Sequence, residues 1–316
     1  MSPTVSVVMP VFNGESFIAE AVRSALEQDP APHEVLVIDD GSTDRTRAAL
    51  EPFGTRVRVI TVPNGGPARA RNLGLGQARG DYVAFLDADD VWLPGKLRAQ
   101  VAQLESRRDA GACYTGWHVW RADADGEYRR PEWAGRPLGL PGADAARSGW
   151  VYGQLLFDCA LLTTTVMLRT SVAREVGLFD VGLRVGEDYD YWLRLSRRTQ
   201  IVRLDCTGAL YRVVPSSASR RPYAQNHELE VVRSAIRRFG LVNPDGQPVD
   251  PKAIDRRLRN LLFQHGYQHL KQGSPSIALE AFGESLRSWP WQPKVWAHAA
   301  NAWLRGRAPQ RGDGAS

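Results

Sequence analysis

Apolar and polar positions alternate in blocks along the first part of the chain. Four apolar-rich runs have the length of buried strands and cover residues 5–9, 35–38, 57–62 and 82–86. Between them, apolar residues recur at helical spacing over residues 17–26 and 68–78. Strands that alternate with helices through short connections pair in parallel. The pattern therefore predicts an α/β fold with a mostly parallel, twisted sheet and helices on both faces.

The pattern changes in the rest of the chain. It predicts a helix over residues 92–107, strands over 112–120, 161–168 and 200–214, and a helix over 187–197. Residues 121–150 are rich in Gly, Pro, Arg and Asp, which predicts a long surface loop. From residue 222 to about residue 307 the chain is predominantly helical, and we expect the tail beyond it to be disordered.

Three carboxylates follow the strand at residues 82–86 within four positions. Asp87, Asp89 and Asp90 lie where this strand ends, and ligands bind at the carboxyl ends of strands in open α/β sheets. Crowded carboxylates repel one another unless a cation lies among them, and Mg²⁺ or Mn²⁺ favours carboxylate oxygens. The run therefore predicts a divalent-cation site. The alternative is an acidic turn that caps the next helix.

Composition is that of a soluble globular protein, with 43% hydrophobic and 24% charged residues. No run of about 18 or more apolar residues occurs, so we expect no membrane span. No basic segment precedes the first strand, so we expect no secretory signal. The three cysteines are far apart, which favours reduced core thiols. We therefore expect a cytoplasmic location, either free or peripheral at the inner face of the membrane.

Charge is distributed unevenly along the chain. Residues 191–316 hold 20 Lys and Arg against 9 Asp and Glu, a net of +11 in a chain whose total is +5. A basic region of this kind favours an anionic partner, either a membrane surface or an anionic acceptor. A solvated, arginine-rich helical surface is the alternative. No nucleic-acid-binding motif is present, so we expect no nucleic acid partner.

Four segments together resemble a known family. They are VSVVMPVFN at 5–13, VIDDGSTD at 37–44, GPARARNLG at 66–74 with DADD at 87–90, and GEDYDYWLR at 186–194. In order and spacing they resemble the family 2 glycosyltransferases of the GT-A fold, across roughly residues 4–215. The resemblance implies inverting transfer of a sugar from a nucleotide diphosphate sugar, with UDP-sugars favoured, to a hydroxyl acceptor.

The resemblance also implies roles around the diphosphate of the donor. Asp89, with Asp90, would hold Mn²⁺ or Mg²⁺, and Asp87 would contact the ribose or share the metal. Arg71 matches an arginine that approaches the diphosphate, whereas a plain position on a surface helix is its alternative.

The same resemblance implies which residues would contact the nucleobase. Asp40 is the preferred contact to the base, with Asp39 close behind, and helix capping is the alternative for both. Pro10, Val11 and Phe12 would line the binding site of the base through backbone and ring contacts.

On the acceptor side, Glu187 and Asp188 match the base motif of the family. A one-step inversion needs a general base on the acceptor hydroxyl, and Asp188 is the preferred residue, with Glu187 as the other candidate. The structural alternative is that both carboxylates only favour the N-terminus of a helix through its dipole.

The resemblance divides the chain into three parts. Residues 1–215 would form the GT-A catalytic domain, with a nucleotide-sugar half at about 1–110 and an acceptor half at about 111–215. Residues 216–307 would form a helical region that is partly tetratricopeptide-like. Residues 308–316 would form the disordered tail.

The predicted activity is a single addition to a glycan or lipid-linked acceptor in cell-surface polysaccharide, glycolipid or glycoconjugate biosynthesis. Non-processive bacterial enzymes are favoured, because the chain lacks the Gln-x-x-Arg-Trp signature of processive synthases. A nucleotidyltransferase acting on sugar phosphates is the nearest alternative, although the predicted loop at residues 10–14 carries no basic residue. A non-catalytic helical scaffold with a vestigial transferase domain is the other.

Overall fold

The computed structural model describes residues 2–214 and 222–307. Its strands are β1 (Val5–Val11), β2 (Glu34–Asp39), β3 (Arg58–Thr61), β4 (Tyr82–Phe85), β5 (Val91–Trp92), β6 (Ala110–Trp120), β7 (Val166–Arg169) and β8 (Gln200–Arg212). Its helices are α1 (Ile18–Leu26), α2 (Thr46–Leu50), α3 (Pro67–Gln77), α4 (Lys96–Ser106), α5 (Tyr152–Leu155), α6 (Thr170–Val176), α7 (Glu187–Leu195), α8 (His227–Phe239), α9 (Pro251–Gln272), α10 (Pro275–Ser288) and α11 (Pro293–Arg307). The predicted domain boundary after residue 215 and the predicted tail at 308–316 lie outside the described residues.

The strands form one mixed sheet in the order β3-β2-β1-β4-β7-β6-β8-β5. β1 pairs in parallel with β2 and β4, β2 with β3, and β6 with β8. β7 runs antiparallel to β4 and β6, and β5 runs antiparallel to β8. β1 is buried at every position, because β2 and β4 flank its edges and the helices α1 and α3 pack against the sheet. The α/β architecture predicted from the apolar pattern is thus confirmed, with the parallel pairs concentrated in the first half.

The pair of strands β6 and β8 extends beyond the rest of the sheet. β6 pairs with β7 only at Ala112–Tyr114 and then continues beside β8 to Trp120. The N-terminal end of β7 lies next to the carboxyl end of β4, because these two strands are antiparallel. The extension of β6 and β8 therefore passes beyond the carboxyl edge of the parallel strands.

Three local predictions differ from the structure. β1 includes Pro10 and Val11, which were predicted to lie in a loop and instead continue the pairing with β2. The helix predicted from residue 92 begins at Lys96, because Gly95 adopts a positive φ of 82° and Val91–Trp92 pair with β8. The strand predicted from residue 161 begins at Val166, since Thr163–Thr165 form a 3-10 turn.

The described chain divides into two compact units. The first contains residues 2–214 with Val242–Pro248, and the second contains residues 222–241 and 249–307. In the second unit, α9, α10 and α11 pack around Leu270, Phe282 and Val295. No helix among the described residues combines the length and apolar character needed to cross a bilayer.

Candidate active site

Loops that follow β1 and β2 contact each other at the carboxyl edge of the sheet. The backbone N of Asn13 donates to Oγ of Ser42 at 3.0 Å, and the backbone N of Gly14 donates to Oγ1 of Thr46 at 2.8 Å. The parallel pairing of β1 with β2 ends both strands at this edge, which is why the two loops meet. The site is therefore assembled from several separate loops.

Asp39 and Asp40 both lie at the end of β2 and are both buried. Burial alone would raise the pKa of Asp39, but hydrogen bonds from Ser42 and Arg47 hold that pKa below its ordinary value. Oδ1 and Oδ2 of Asp40 accept hydrogen bonds from the backbone N atoms of Gly65 and Gly66 at 2.9 and 2.8 Å. Both carboxylates thus hold neighbouring loops in place, and their predicted contact with a nucleobase stays a prediction.

The three residues predicted to line the binding site of the base differ in solvent accessibility. Pro10 and Val11 are buried in β1, whereas the ring of Phe12 is 52% exposed. Only Phe12 can present its side chain to a ligand without movement of the backbone.

Two of the three carboxylates after β4 are open, and the third is enclosed. Asp87 and Asp89 are partly exposed, whereas Asp90 is 1% exposed. Oδ2 of Asp90 accepts from Oγ1 of Thr164 at 2.6 Å, and Oδ1 accepts from the backbone N of Arg212 at 2.9 Å. Burial raises the pKa of Asp90 well above its ordinary value, and the charges of Asp89 and Asp87 raise it further. The structure thus places Asp90 inward, and its predicted role as a metal ligand stays a prediction.

Asp87 and Asp89 have the properties of a partial cation site. Burial raises the pKa of Asp89 to about 6, and the charge of Asp87 adds to the rise. Among the described residues, no group of three or more His, Cys, Asp or Glu is arranged to hold a metal. Mg²⁺ is usually held by one or two carboxylates together with the phosphates of a substrate. Two open carboxylates fit a cation completed in this way.

We name residues 87–90, with their three carboxylates, the acidic loop. Arg71 on α3 joins this loop to the start of α7. Its two Nη atoms each donate at 2.8 Å, one to Oδ1 of Asp87 and the other to Oε1 of Glu187. Burial disfavours the cation, but these two carboxylates raise the pKa of the guanidinium above its ordinary value. Arg71 is 5% exposed and lies 5.7 Å from the ring centroid of Phe179. The predicted contact of Arg71 with a diphosphate stays a prediction.

Glu187 and Asp188 begin α7 after Gly186, which adopts a positive φ of 84°. Glu187 is 6% exposed, and burial raises its pKa although Arg71 opposes the rise. Asp188 is partly exposed, and its Oδ2 accepts a hydrogen bond of 3.0 Å from Oγ1 of Thr163. The two adjacent carboxylates therefore differ, because one is buried in an ion pair and the other remains accessible.

Arg212 contributes to the site without any signal in the local sequence. Its Nε donates to the backbone O of Asp89 at 2.7 Å. The guanidinium lies 4.4, 4.1 and 4.5 Å from the ring centroids of Phe17, Trp120 and Tyr128. Because Asp90 and Arg212 are 122 positions apart, only the folded chain reveals that they are partners.

Sequence comparison identifies related proteins. The model of the family described as glycosyl transferase family 2 matches residues 6–161. The putative teichuronic acid biosynthesis glycosyltransferase TuaG of Bacillus subtilis is 31% identical over 223 residues, which cover 69% of this chain and 82% of that protein. An uncharacterized glycosyltransferase of Rickettsia conorii is 32% identical over 203 residues, covering 64% of this chain. This match spans only 31% of the Rickettsia protein.

Solved structures share the architecture at low sequence identity. S. aureus TarS 1–349 in complex with UDP-GlcNAc is 19% identical with a TM-score of 0.64, over 96% of this chain and 89% of that chain. Mannosyltransferase PcManGT from Pyrobaculum calidifontis in complex with GDP-Man and Mn²⁺ is 19% identical with a TM-score of 0.58, over 97% and 87%. At these identities the likeness concerns the fold alone, and it confirms the predicted GT-A architecture.

Proposed function

This chain belongs to glycosyl transferase family 2, and we propose that it is an inverting enzyme that adds one sugar from a nucleotide diphosphate sugar to an acceptor hydroxyl. The observation that carries the proposal is the pair of 2.8 Å ion pairs from Arg71 to Asp87 and Glu187. A single side chain thereby spans from the acidic loop to the start of α7. A sugar held between a diphosphate site and a base needs these two elements close together.

In the proposed reaction, the acceptor oxygen bonds to the anomeric carbon while the bond from that carbon to the diphosphate breaks. The nucleoside diphosphate leaves with the bonding electrons, and Asp188 takes the proton of the acceptor hydroxyl. Asp188 is supported as the base because it is partly exposed, whereas Glu187 is buried and paired with Arg71. Glu187 then holds Arg71 and the start of α7 in position.

We assign the predicted cation, Mn²⁺ or Mg²⁺, to Asp87 and Asp89, and give Asp90 the role of positioning their loop. The support is that both oxygens of Asp90 already accept hydrogen bonds, whereas Asp89 is open and has a raised pKa. When bound, such a cation neutralises charge that develops on the diphosphate. PcManGT, which shares the fold, was crystallised with Mn²⁺.

A UDP-sugar is the favoured donor, since the related fold of TarS holds UDP-GlcNAc. PcManGT holds GDP-Man, so a panel of donors is needed. The exposed ring of Phe12 would pack against the base, and Asp39 and Asp40 would keep the surrounding loops in place. The name of TuaG favours a glycan or lipid-linked acceptor in cell-surface polysaccharide biosynthesis.

The test is a thermal-shift screen of UDP-, GDP- and dTDP-sugars with and without Mn²⁺, followed by assays of donor hydrolysis without acceptor. A ligand that binds only the folded protein raises the melting temperature. We expect one UDP-sugar to raise it in a Mn²⁺-dependent manner and to be hydrolysed slowly to UDP and free sugar. Formation of a nucleotide sugar from a sugar phosphate would instead identify a nucleotidyltransferase. Absence of any nucleotide binding would favour the scaffold.

We further propose that the second unit contacts an anionic membrane surface. Four tryptophans of α11 and the segment before it are exposed, by 50% at Trp289, 84% at Trp291, 57% at Trp296 and 44% at Trp303. Two hydrogen bonds hold the first three near one another, since Nε1 of Trp289 donates to the backbone O of Trp291 at 3.1 Å and Nε1 of Trp296 donates to the backbone O of Pro290 at 2.9 Å. Exposed tryptophans favour the membrane interface, and the basic composition of this part of the chain favours anionic lipids.

A further inference from the structure

Two cavities in the first unit share Thr207. The first has a volume of about 370 Å³ and the second a volume of about 400 Å³. We name the pair the Thr207 groove, which is defined by Trp117, Asp158, Arg203 and Asp205 in the first cavity, Trp133 in the second, and Thr207 in both. None of these six residues has a role in the donor chemistry proposed above.

Short chain segments connect each cavity of the Thr207 groove to a residue of the candidate active site. Ala160 lines the first cavity, and three residues later Thr163 holds Asp188. Leu93 lines the second cavity, three residues after Asp90. Three residues of extended chain span at most about 11 Å. One cavity is therefore close to the proposed base, and the other is close to the acidic loop.

The position of the groove follows from the sheet. Gly116 on β6 is paired with Thr207 on β8, in the part of these strands that extends beyond the carboxyl edge. The groove therefore lies beyond the same edge of the sheet as the loops that carry the carboxylates. An acceptor must approach this edge to reach a donor bound there.

The residues predicted as a long surface loop, 121–150, build much of the groove wall. The backbone N of Asp144 donates to the backbone O of Arg203 at 2.8 Å, and the backbone N of Asp205 donates to the backbone O of Gly142 at 2.9 Å. At the second cavity, the backbone N of Leu138 donates to the backbone O of Pro94 at 2.8 Å. These bonds fix the walls before a ligand binds, which lowers the entropic cost of binding.

The lining has the chemistry of a saccharide site. Asp158 and Asp205 are exposed carboxylates, which can accept hydrogen bonds, and Arg203 is a donor whose Nη1 bonds Oδ2 of Asp144 at 2.5 Å. Sugar hydroxyl groups both donate and accept, and the apolar face of a sugar ring can pack on Trp117. A purely apolar ligand would instead offer no hydrogen-bond partner to the carboxylates of Asp158 and Asp205. The combination of aromatic, acidic and basic side chains favours a polyhydroxylated ligand.

We propose that the Thr207 groove binds the acceptor as a saccharide of at least two units, one unit on each side of Thr207. The inference rests on the proposed function, because it identifies the ligand of this groove as the substrate that receives the sugar. The unit nearer Ala160 packs on Trp117, and the neighbouring unit reaches Trp133.

The experiment measures binding of fluorescently labelled oligosaccharides of one to four hexose or N-acetylhexosamine units, by anisotropy in the presence of UDP and Mn²⁺. We expect at least one series to bind about tenfold more tightly at two or more units than at one. Trp117→Ala should weaken this binding by about tenfold or more, as is usual for a buried aromatic contact. Equal affinity of monosaccharide and longer forms, absence of binding, or unchanged binding by a folded Trp117→Ala protein would overturn the proposal.

Two further variants make the result decisive. Trp289→Ala is the matched control, because it removes an exposed tryptophan of the second unit and should leave saccharide binding unchanged. If Trp117→Ala does not fold, saccharide binding is measured on Asp205→Asn instead. This variant should bind the saccharide more weakly, since the exposed carboxylate should be needed for binding. UDP affinity, measured by calorimetry, should stay the same in all variants. If the wild-type protein binds UDP but none of the saccharides, the proposal for the groove alone is contradicted. Failure of the wild-type protein to bind UDP contradicts the proposed donor function.

Discussion

Oγ1 of Thr163 donates a hydrogen bond of 3.0 Å to Oδ2 of Asp188. The next residue, Thr164, donates at 2.6 Å to Oδ2 of Asp90. A single 3-10 turn before β7 thus holds both the proposed base and the enclosed carboxylate of the acidic loop. Because adjacent residues make the two bonds, the turn sets the distance between the donor and acceptor sides of the site.

Asp188→Asn should lower the turnover number by about 10²–10⁴-fold, since this is what general-base assistance contributes. Donor affinity should change little, because the proposed donor contacts come from other residues. Steady-state transfer, with donor affinity measured by calorimetry, checks both expectations. Glu187→Gln is the comparison, and it should cost less if Glu187 only positions Arg71. If Asp188→Asn keeps near-normal turnover and Glu187→Gln loses it, Glu187 is the general base and Asp188 has the positioning role.

Asp89→Asn should greatly reduce turnover and remove the Mn²⁺ dependence of nucleotide binding, while the protein stays folded. The physical reason is that Asp89 is the open carboxylate of the acidic loop, whereas Asp90 is already bonded. Nucleotide titrations with and without EDTA measure the dependence. Full activity of folded Asp89→Asn in EDTA would exclude the metal role.

The pKa of Asp89 also predicts how stability depends on pH without metal. Burial raises this pKa to about 6 in the folded protein, above about 3.9 in an unfolded chain. Between these values the folded state binds more protons, so the contribution of Asp89 to the free energy of unfolding falls as pH rises. Asp89→Asn lacks this contribution. In EDTA, the melting temperature of the variant relative to wild type should therefore rise from pH 4 to pH 7, and a constant difference would contradict the assignment.

Arg71→Met should reduce the free energy of unfolding by about 3–5 kcal/mol, because it leaves the buried carboxylate of Glu187 without a partner. Adding Glu187→Gln should recover part of this loss, since the uncompensated charge is then removed. Urea unfolding of both single variants and the double variant gives the coupling energy. Strictly additive losses would show that the ion pair does not couple α3 to α7.

Anionic liposomes should sediment the protein at low salt, and added salt should weaken the association. Replacing Trp291 and Trp296 with Ser should reduce the bound fraction, because these exposed rings would insert at the interface. The double variant Trp117→Ala and Trp133→Ala in the first unit is the matched control. Equal recovery in the supernatant with and without liposomes would contradict the membrane contact.

Gly266→Ala should destabilise the second unit by about 1–3 kcal/mol, as overpacking does in a tight core. A Cβ at Gly266 would lie 2.7 Å from Cε1 of Phe282, so α9 and α10 would have to move apart. Gly283→Ala on α10 is the control, since the nearest atom to its Cβ is Nη1 of Arg287 at 3.8 Å. At position 283 the higher helix propensity of Ala should stabilise the second unit by about 0.5–1 kcal/mol. Thermal unfolding should therefore show a lower melting temperature for Gly266→Ala and a higher one for Gly283→Ala.

Several features could be predicted from short stretches of sequence. The apolar runs predicted β1, β2, β3 and β4. In β1, β2 and β4 the continuous apolar segment reflects burial on both faces, whereas β3 is largely exposed. The extent of β1 was predicted too short, since Pro10 marks a loop in most contexts and here continues the pairing with β2. The start of α4 was missed because Gly95 and the pairing of Val91–Trp92 with β8 depend on a distant strand.

The sequence by itself determined the α/β order of elements, the family and the carboxylates at the strand ends, because these follow from local periodicity and from motifs. Only the tertiary structure decided which carboxylate of each adjacent pair remains open. Thr164 and Arg212, which are 74 and 122 positions from Asp90, enclose that residue and leave Asp89 accessible. Arg71 is 116 positions from Glu187 and buries it, while Asp188 stays accessible. Adjacent carboxylates are chemically alike in the sequence, and they differ only through the distant partners that folding brings to them.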